Sequence, residues 1–114
     1  MDNNGVAGAP AVYHSLTPEE AKARMDSGDP VIILDVRRAD EFAEGHIPGA
    51  ILLPNEDIGT ERPDALPDLG AEILVYCRSG RRSQAAANKL VARGYAAVYD
   101  FGGIVDWPYA VTAE

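Results

Sequence analysis

The sequence predicts a single α/β domain with a central, mainly parallel five-stranded sheet and helices on both faces. Three observations predict it. Short apolar runs rich in Ile, Val and Leu recur at 31–35, 50–53, 72–77 and 97–100, each too short for a helix and suited to a strand buried on both sides. Segments with helix start and stop signals lie between them. The links are short, and strands that alternate with helices across short links build a parallel sheet. A chain of 114 residues is long enough for one core and not for two.

Taken in order, residues 1–10 are mostly Gly, Ala, Asn and Pro with little to bury, and are read as a flexible leader to a domain over 11–114. Residues 11–14 are read as a short first strand. Thr17-Pro18-Glu19-Glu20 starts a helix: Thr17 caps, Pro18 suits the first helical position and Glu20 completes a capping box. That helix runs to about Ser27, where Gly28-Asp29-Pro30 stops it. Val31–Asp35 is the second strand, and Ala39–Glu44 a short helix with Phe42 facing inward. Gly45–Ala50 reads as a turn in which both glycines and Pro48 set unusual backbone angles. Residues 50–53 form a third strand ended by Pro54, and 55–69 cross a sheet face as short helical turns.

Residues 72–77 are the fourth strand. After Gly80 the pattern becomes helical, with Ala87, Leu90, Val91 and Gly94 on one face and Gly94 suited to end the helix in a left-handed conformation. Residues 97–100 are the last strand. Gly102-Gly103 then turns the chain into a helical turn carrying Trp107, read as a core anchor, closed by Pro108.

Charge and composition exclude several functions. A net charge of −8 argues against nucleic acid and anionic membranes as partners. One cysteine excludes an internal disulfide, and with only His14 and His46 beside it no spacing resembles a zinc site. No apolar run is long enough to span a membrane and no signal-peptide pattern is present. The expected location is cytoplasmic, a reducing compartment that suits a free reactive thiol.

The chemistry concentrates at that thiol. Cys77 ends a strand just before a helix amino terminus, the edge where open α/β sheets bind ligands. The first-turn N–H groups lack intrahelical partners and carry partial positive charge, to which Arg78, Arg81 and Arg82 add full charges. Both effects favour thiolate over thiol and would hold an oxyanion beside the sulfur. Residues 71–93 hold five basic side chains and one acid, whereas the rest holds five and seventeen. A cationic patch centred on the only thiol of an acidic chain points to a reactive, anion-binding cysteine, against the plainer reading of an inert core residue.

Cys77-Arg78-Ser79-Gly80-Arg81-Arg82-Ser83 resembles the active-site loop of the rhodanese family of sulfurtransferases. Leu34-Asp35-Val36-Arg37, Glu41-Phe42 and the segment from Gly45 to Ala50 resemble its partner motif. Gly94-Tyr95, the segment from Val98 to Gly103, and Trp107-Pro108 resemble its tail. The resemblance spans about Tyr13 to Ala110. It implies a single rhodanese-like domain and a thiosulfate sulfurtransferase that works through a Cys77 persulfide. Arg78, Ser79, Gly80, Arg81 and Arg82 would bind substrate. The donor would be a small anion, thiosulfate or a persulfide, and the acceptor a thiol, a protein or cyanide, with no cofactor and no metal.

Asp35 and Arg37 read from the residues alone as a surface ion pair or a helix cap. The resemblance makes them supporting residues, with Asp35 ordering the sheet edge and pairing with a loop arginine. It gives His46 a structural role. Arg38 is read as plain surface. Loop length chooses between reactions. Cys-x4-Arg is one residue shorter than the Cys-x5-Arg of a cysteine phosphatase, whose arginine grips two phosphate oxygens. Ser83 occupies that position here and could also cap the helix. The alternatives are a non-catalytic module that carries sulfur or binds a protein, and a cysteine-based phosphatase or arsenate reductase.

Overall fold

A computed structural model describes residues 12–114. The expected leader at 1–10, and Ala11, lie outside the described residues. The elements are β1 (His14–Ser15), α1 (Pro18–Met25), β2 (Ile32–Asp35), α2 (Ala39–Glu44), β3 (Ile51–Leu52), β4 (Glu72–Cys77), α3 (Arg81–Ala92) and β5 (Ala97–Gly103), with 3₁₀ turns at Asn55–Asp57 and Ile104–Asp106. The five strands form one sheet in the order β1-β5-β4-β2-β3, and every pair is parallel. No helix among the described residues is long and apolar enough to cross a membrane.

Strand alternation splits the core into two layers, because successive side chains on a strand point to opposite faces. Ile73, Val75 and Cys77 of β4 pack with Ala86, Ala87 and Leu90 of α3. Leu74 and Tyr76 face the other way, with Ala21 of α1, Ile47 and Phe101, and Trp107 packs partly buried against them. β4 is therefore central and covered on both faces, and its last residue presents the thiol at the carboxyl edge of the sheet.

Local signals set several boundaries. Thr17 and Glu20 form both bonds of the capping box: Glu20 N–H donates to Thr17 Oγ1 at 3.1 Å, and Thr17 N–H donates to Glu20 Oε1 at 2.9 Å. α1 ends at Met25, two residues before the expected Ser27, because the Ser27 N–H and hydroxyl both turn back onto the Arg24 carbonyl. Gly94 takes the expected left-handed conformation after α3, with φ 102°.

Four expectations are corrected. Among the described residues the first strand is His14–Ser15, later than read, since these are the residues that pair with Tyr99 and Asp100. Segment 55–69 holds a single 3₁₀ turn, with Pro63 and Pro67 interrupting the rest. It is held down by Ile58 and Leu66 in the core and by the Tyr95 hydroxyl on the Leu66 carbonyl. Of the two glycines at 45 and 49, only Gly49 takes the left-handed region that favours glycine, with φ 87°; Gly45 is extended. The last strand does not end at Asp100 as read: Gly102-Gly103 form its final two residues, and the helical turn starts after them. β5 runs through to Gly103, which pairs with Cys77 across a register shift. Gly102 absorbs that irregularity at φ 92°.

Candidate functional site

The loop after β4 is short and tightly braced. Gly80 caps α3 at φ 101°, a conformation glycine adopts without strain. That turn aims the Gly80 N–H at Cys77 Sγ, 3.0 Å away. Cys77 is only 1% exposed. Ser83, fully buried in the first turn of α3, places its hydroxyl 3.6 Å from the same sulfur. The Ser83 hydroxyl donates to the Gly80 carbonyl at 3.0 Å, closing the loop on itself. It is therefore not the helix cap, since Gly80 occupies that position and no side chain bonds there.

The end of β5 braces the loop from beneath. Gly103 approaches so closely that a Cβ there would lie 2.1 Å from the Arg78 carbonyl oxygen and 2.6 Å from Ser79 Cα. The Val105 N–H, in the following 3₁₀ turn, donates to the same Arg78 oxygen at 3.2 Å. The Gly-Gly pair that reads locally as a turn is thus the floor under the loop.

The loop residues singled out in the sequence take different positions. Arg78, Ser79 and Arg81 are exposed at the rim, and Gly80 is buried beside the sulfur. Arg82 departs from the substrate-binding set. Its guanidinium meets the carboxylate of Glu41 on α2 through two bonds, Nη1 to Oε1 at 2.6 Å and Nη2 to Oε2 at 2.9 Å. These bonds are the main cause that holds the Glu41 carboxyl down at about 2. Arg82 remains within electrostatic reach of Cys77.

Asp35 pairs with no loop arginine, contrary to the expectation. Its carboxylate accepts from Arg37 Nη2 at 2.7 Å and Nε at 3.0 Å, and from the Tyr76 hydroxyl at 2.6 Å. The Tyr76 oxygen in turn accepts the Ile47 N–H at 3.1 Å, and Arg37 Nη2 donates to the Gly45 carbonyl at 2.7 Å. Burial, with the Asp35 carboxylate next in importance, pushes the Tyr76 phenol well above its usual range. This buried network ties β2, the 45–47 turn and the residue before Cys77 together. Asp35 and Arg37 thus lie behind Cys77, joined to it only through Tyr76, the preceding residue of β4. Arg37 wins over a rim arginine as the partner of Asp35 because it is local, and the pair is buried and not at the surface as the residues alone suggest, so it is little screened.

His46 stacks on Phe42 with ring centroids 3.8 Å apart and directs Nδ1 to the Phe42 carbonyl at 2.9 Å. Its backbone exchanges two 2.8 Å bonds with Thr112 of the tail. Among the described residues, no cluster of His, Cys, Asp and Glu could hold a metal ion.

Tyr76→Phe tests the buried network. It strips the Ile47 N–H of its acceptor and Asp35 of one donor, and is expected to cost roughly 1–3 kcal/mol. An unchanged urea midpoint would contradict that cost.

Residues that the motifs alone did not single out as part of the site are Glu41 as the partner of Arg82, Tyr76, Ser83 and Gly103. Only Ser83 carried a local signal, a hydroxyl one turn into the helix. Gly103 reaches the loop through strand pairing with Cys77, Glu41 reaches it from α2 through its side chain, and Tyr76 precedes Cys77 on β4.

Comparison with known proteins bears on this arrangement. Residues 17–109 match the model of the rhodanese-like domain. The chain is 34% identical over 105 residues to a thiosulfate sulfurtransferase GlpE of Stutzerimonas stutzeri, covering 90% of this chain and 91% of that protein. It is 36% identical over 90 residues to a putative sulfur carrier protein YrkF of Bacillus subtilis, covering 78% of this chain and 48% of that protein. A rhodanese-like domain protein of Staphylococcus aureus superposes with a TM-score of 0.76 at 33% identity, covering 89% of this chain and 98% of that one.

Proposed function

The chain belongs to the rhodanese-like domain family, and on that premise we propose that it is a thiosulfate sulfurtransferase working through a persulfide on Cys77. The observation that carries the reading is the Gly80 N–H on Cys77 Sγ at 3.0 Å, inside a six-residue loop. A donor pointed at sulfur, at a helix amino terminus, stabilises negative charge on that sulfur before and after transfer. The near-complete burial of the thiol favours a small incoming atom over a bulky phosphoryl group.

The reaction is a double displacement. The Cys77 thiolate attacks the outer sulfur of thiosulfate. A new S–S bond forms as the old one breaks, and sulfite leaves with the bonding electrons. Its charge departs past the exposed Arg78 and Arg81. Cys77 now carries an anionic persulfide held by the N–H groups of the loop. A thiol or cyanide then attacks the terminal sulfur, and the electron pair of the breaking bond returns to Sγ. Each step is a two-electron displacement at sulfur, with a thiolate or the cyanide carbon as nucleophile, so the proposal calls on no redox cofactor and no metal. A small anionic donor and a thiol acceptor are its partners, and the reduced cytoplasm suits its thiol.

The test is thiosulfate:cyanide transfer, read as thiocyanate released with time. Saturable turnover is expected. A second reading, a sulfur carrier with a dedicated protein acceptor, is favoured by the likeness to the putative sulfur carrier protein. It predicts persulfide formation without turnover on cyanide. Phosphoester hydrolysis without any thiocyanate would contradict both.

A further inference from the structure

We propose that the rim of the Cys77 loop, built by Arg78, Arg81 and Val105, docks a protein acceptor that brings its cysteine on a projecting segment with acidic and apolar neighbours. The inference rests on the sulfurtransferase reading and names the kind of acceptor that fits this site.

Charge is the first observation. The chain carries 18 acidic side chains against 10 from Lys and Arg, so an arginine has many carboxylates to meet. Arg24, Arg37, Arg38 and Arg82 each pair with one. Arg78 and Arg81 are exposed and make no such pair among the described residues. Arg78 directly follows Cys77 at the end of β4, and Arg81 opens α3, where the helix dipole adds to its charge. Glu41, the carboxylate that reaches the loop from α2, is already held by Arg82 through two bonds. An acidic protein thus keeps a positive rim around its one thiol, a surface complementary to an acidic partner.

Val105 is the second observation. It is 58% exposed, and its N–H donates to the Arg78 carbonyl at 3.2 Å, so the 3₁₀ turn holds an uncovered apolar side chain beside the loop. Thiosulfate or cyanide gains nothing from such a neighbour, whereas an apolar side chain of a peptide does. Asp106, the next residue, is also exposed. The acidic residues of the partner therefore suit the Arg78 and Arg81 side, and its apolar residue the Val105 side.

Depth is the third observation. Cys77 is 1% exposed, and a persulfide extends its reach by only about 2 Å. A cysteine on a flat surface would stop at the rim, while one on a loop tip or chain end can enter. Its thiol first loses a proton to solvent. The thiolate attacks the terminal sulfur of the Cys77 persulfide, a new S–S bond forms on the acceptor, and the pair of the broken bond returns to Sγ.

The test uses three peptides of one length, each with a single cysteine held as a mixed disulfide with thionitrobenzoate and flanked by Glu, Gln or Lys. The Cys77 thiolate attacks the peptide sulfur, and coloured thionitrobenzoate leaves with the bonding pair. Each rate is divided by that of iodoacetamide on the same protein, which cancels differences in thiol access and ionisation. At low ionic strength the Glu peptide is expected to react about a hundredfold faster than the Lys peptide, with the Gln peptide between them. Added salt is expected to shrink that preference. The double variant Arg78→Gln with Arg81→Gln is expected to lower it at least about tenfold, and either single variant, which serves if the double does not fold, about threefold. A Glu peptide with Leu beside its cysteine is expected to gain about fivefold over one with Ser there, and Val105→Ser to lose that gain.

Equal rates for the Glu and Lys peptides, or a preference that survives loss of the arginines, would overturn the proposal. A Leu gain that is absent, or that persists in Val105→Ser, would overturn the part given to Val105. None of these readouts needs a persulfide. A preference for the acidic peptide in a protein that takes sulfur from no donor would leave the docking surface standing and remove the sulfurtransferase reading alone. A persulfide without peptide preference would do the reverse.

Discussion

Cys77→Ser is expected to bring thiocyanate production down to the uncatalysed background, a loss on the order of 10⁴-fold or more, with the fold retained. Removing the group that carries the covalent intermediate removes the pathway, and losses of that scale follow when a nucleophile is deleted. A serine hydroxyl is scarcely ionised near neutral pH and forms no persulfide. The fold should persist because the change is almost isosteric, and a serine oxygen can accept the same Gly80 N–H that Sγ accepts. The melting temperature should stay within a few degrees of wild type. Cooperative melting with activity gone is the expected pair of results. Retained turnover in this variant would remove Cys77 from the chemistry.

Gly103→Ala carries the second largest expected effect, and its target is the loop and not the sulfur. The added methyl would lie 2.1 Å from the Arg78 oxygen, 2.5 Å from the Arg78 carbonyl carbon and 2.6 Å from Ser79 Cα. All three are backbone atoms, so no side chain can swing away. The loop or the end of β5 must shift by about 1 Å, and misplacement of that size costs on the order of 10²-fold in rate. Overpacking should also cost roughly 1–3 kcal/mol of stability. Gly102→Ala supplies the control. Nothing lies within 4 Å of a Cβ there, and its cost comes from φ 92° alone. It is expected to destabilise by about 1 kcal/mol while transfer falls far less than in Gly103→Ala. Equal activity in the two variants would contradict the role given to the floor of the loop.

The contrast between these glycines shows what a sequence can and cannot reveal. Cys77, Gly80, the start of α3 and Gly94 were legible because they form one local strand–loop–helix unit, each part fixed by near neighbours. The Thr17 capping box was legible for the same reason. The motifs that resemble the rhodanese family also carried the fold, since they occur in order along nearly the whole chain. Gly103 was misread as a turn because its constraint is the Arg78 backbone, brought there by pairing of β5 with β4. Strand order is not written in any local pattern. Arg82 was assigned to substrate by proximity in sequence to Cys77, while its real neighbour lies on α2. Asp35 was expected to reach a loop arginine, although Arg37, two residues away and buried beside it, is held far more closely. Where burial brings distant charges together, the spacing that identifies a motif does not say which partner each charge takes.

The measurement that tests the central claim most directly is the intact mass of the protein after thiosulfate alone. The account predicts a gain of about one sulfur atom on the wild-type chain, lost on adding cyanide or a thiol and absent in Cys77→Ser, as covalent catalysis requires. A folded protein with a free thiol whose mass does not change, with thiosulfate or with a persulfide donor, would contradict it.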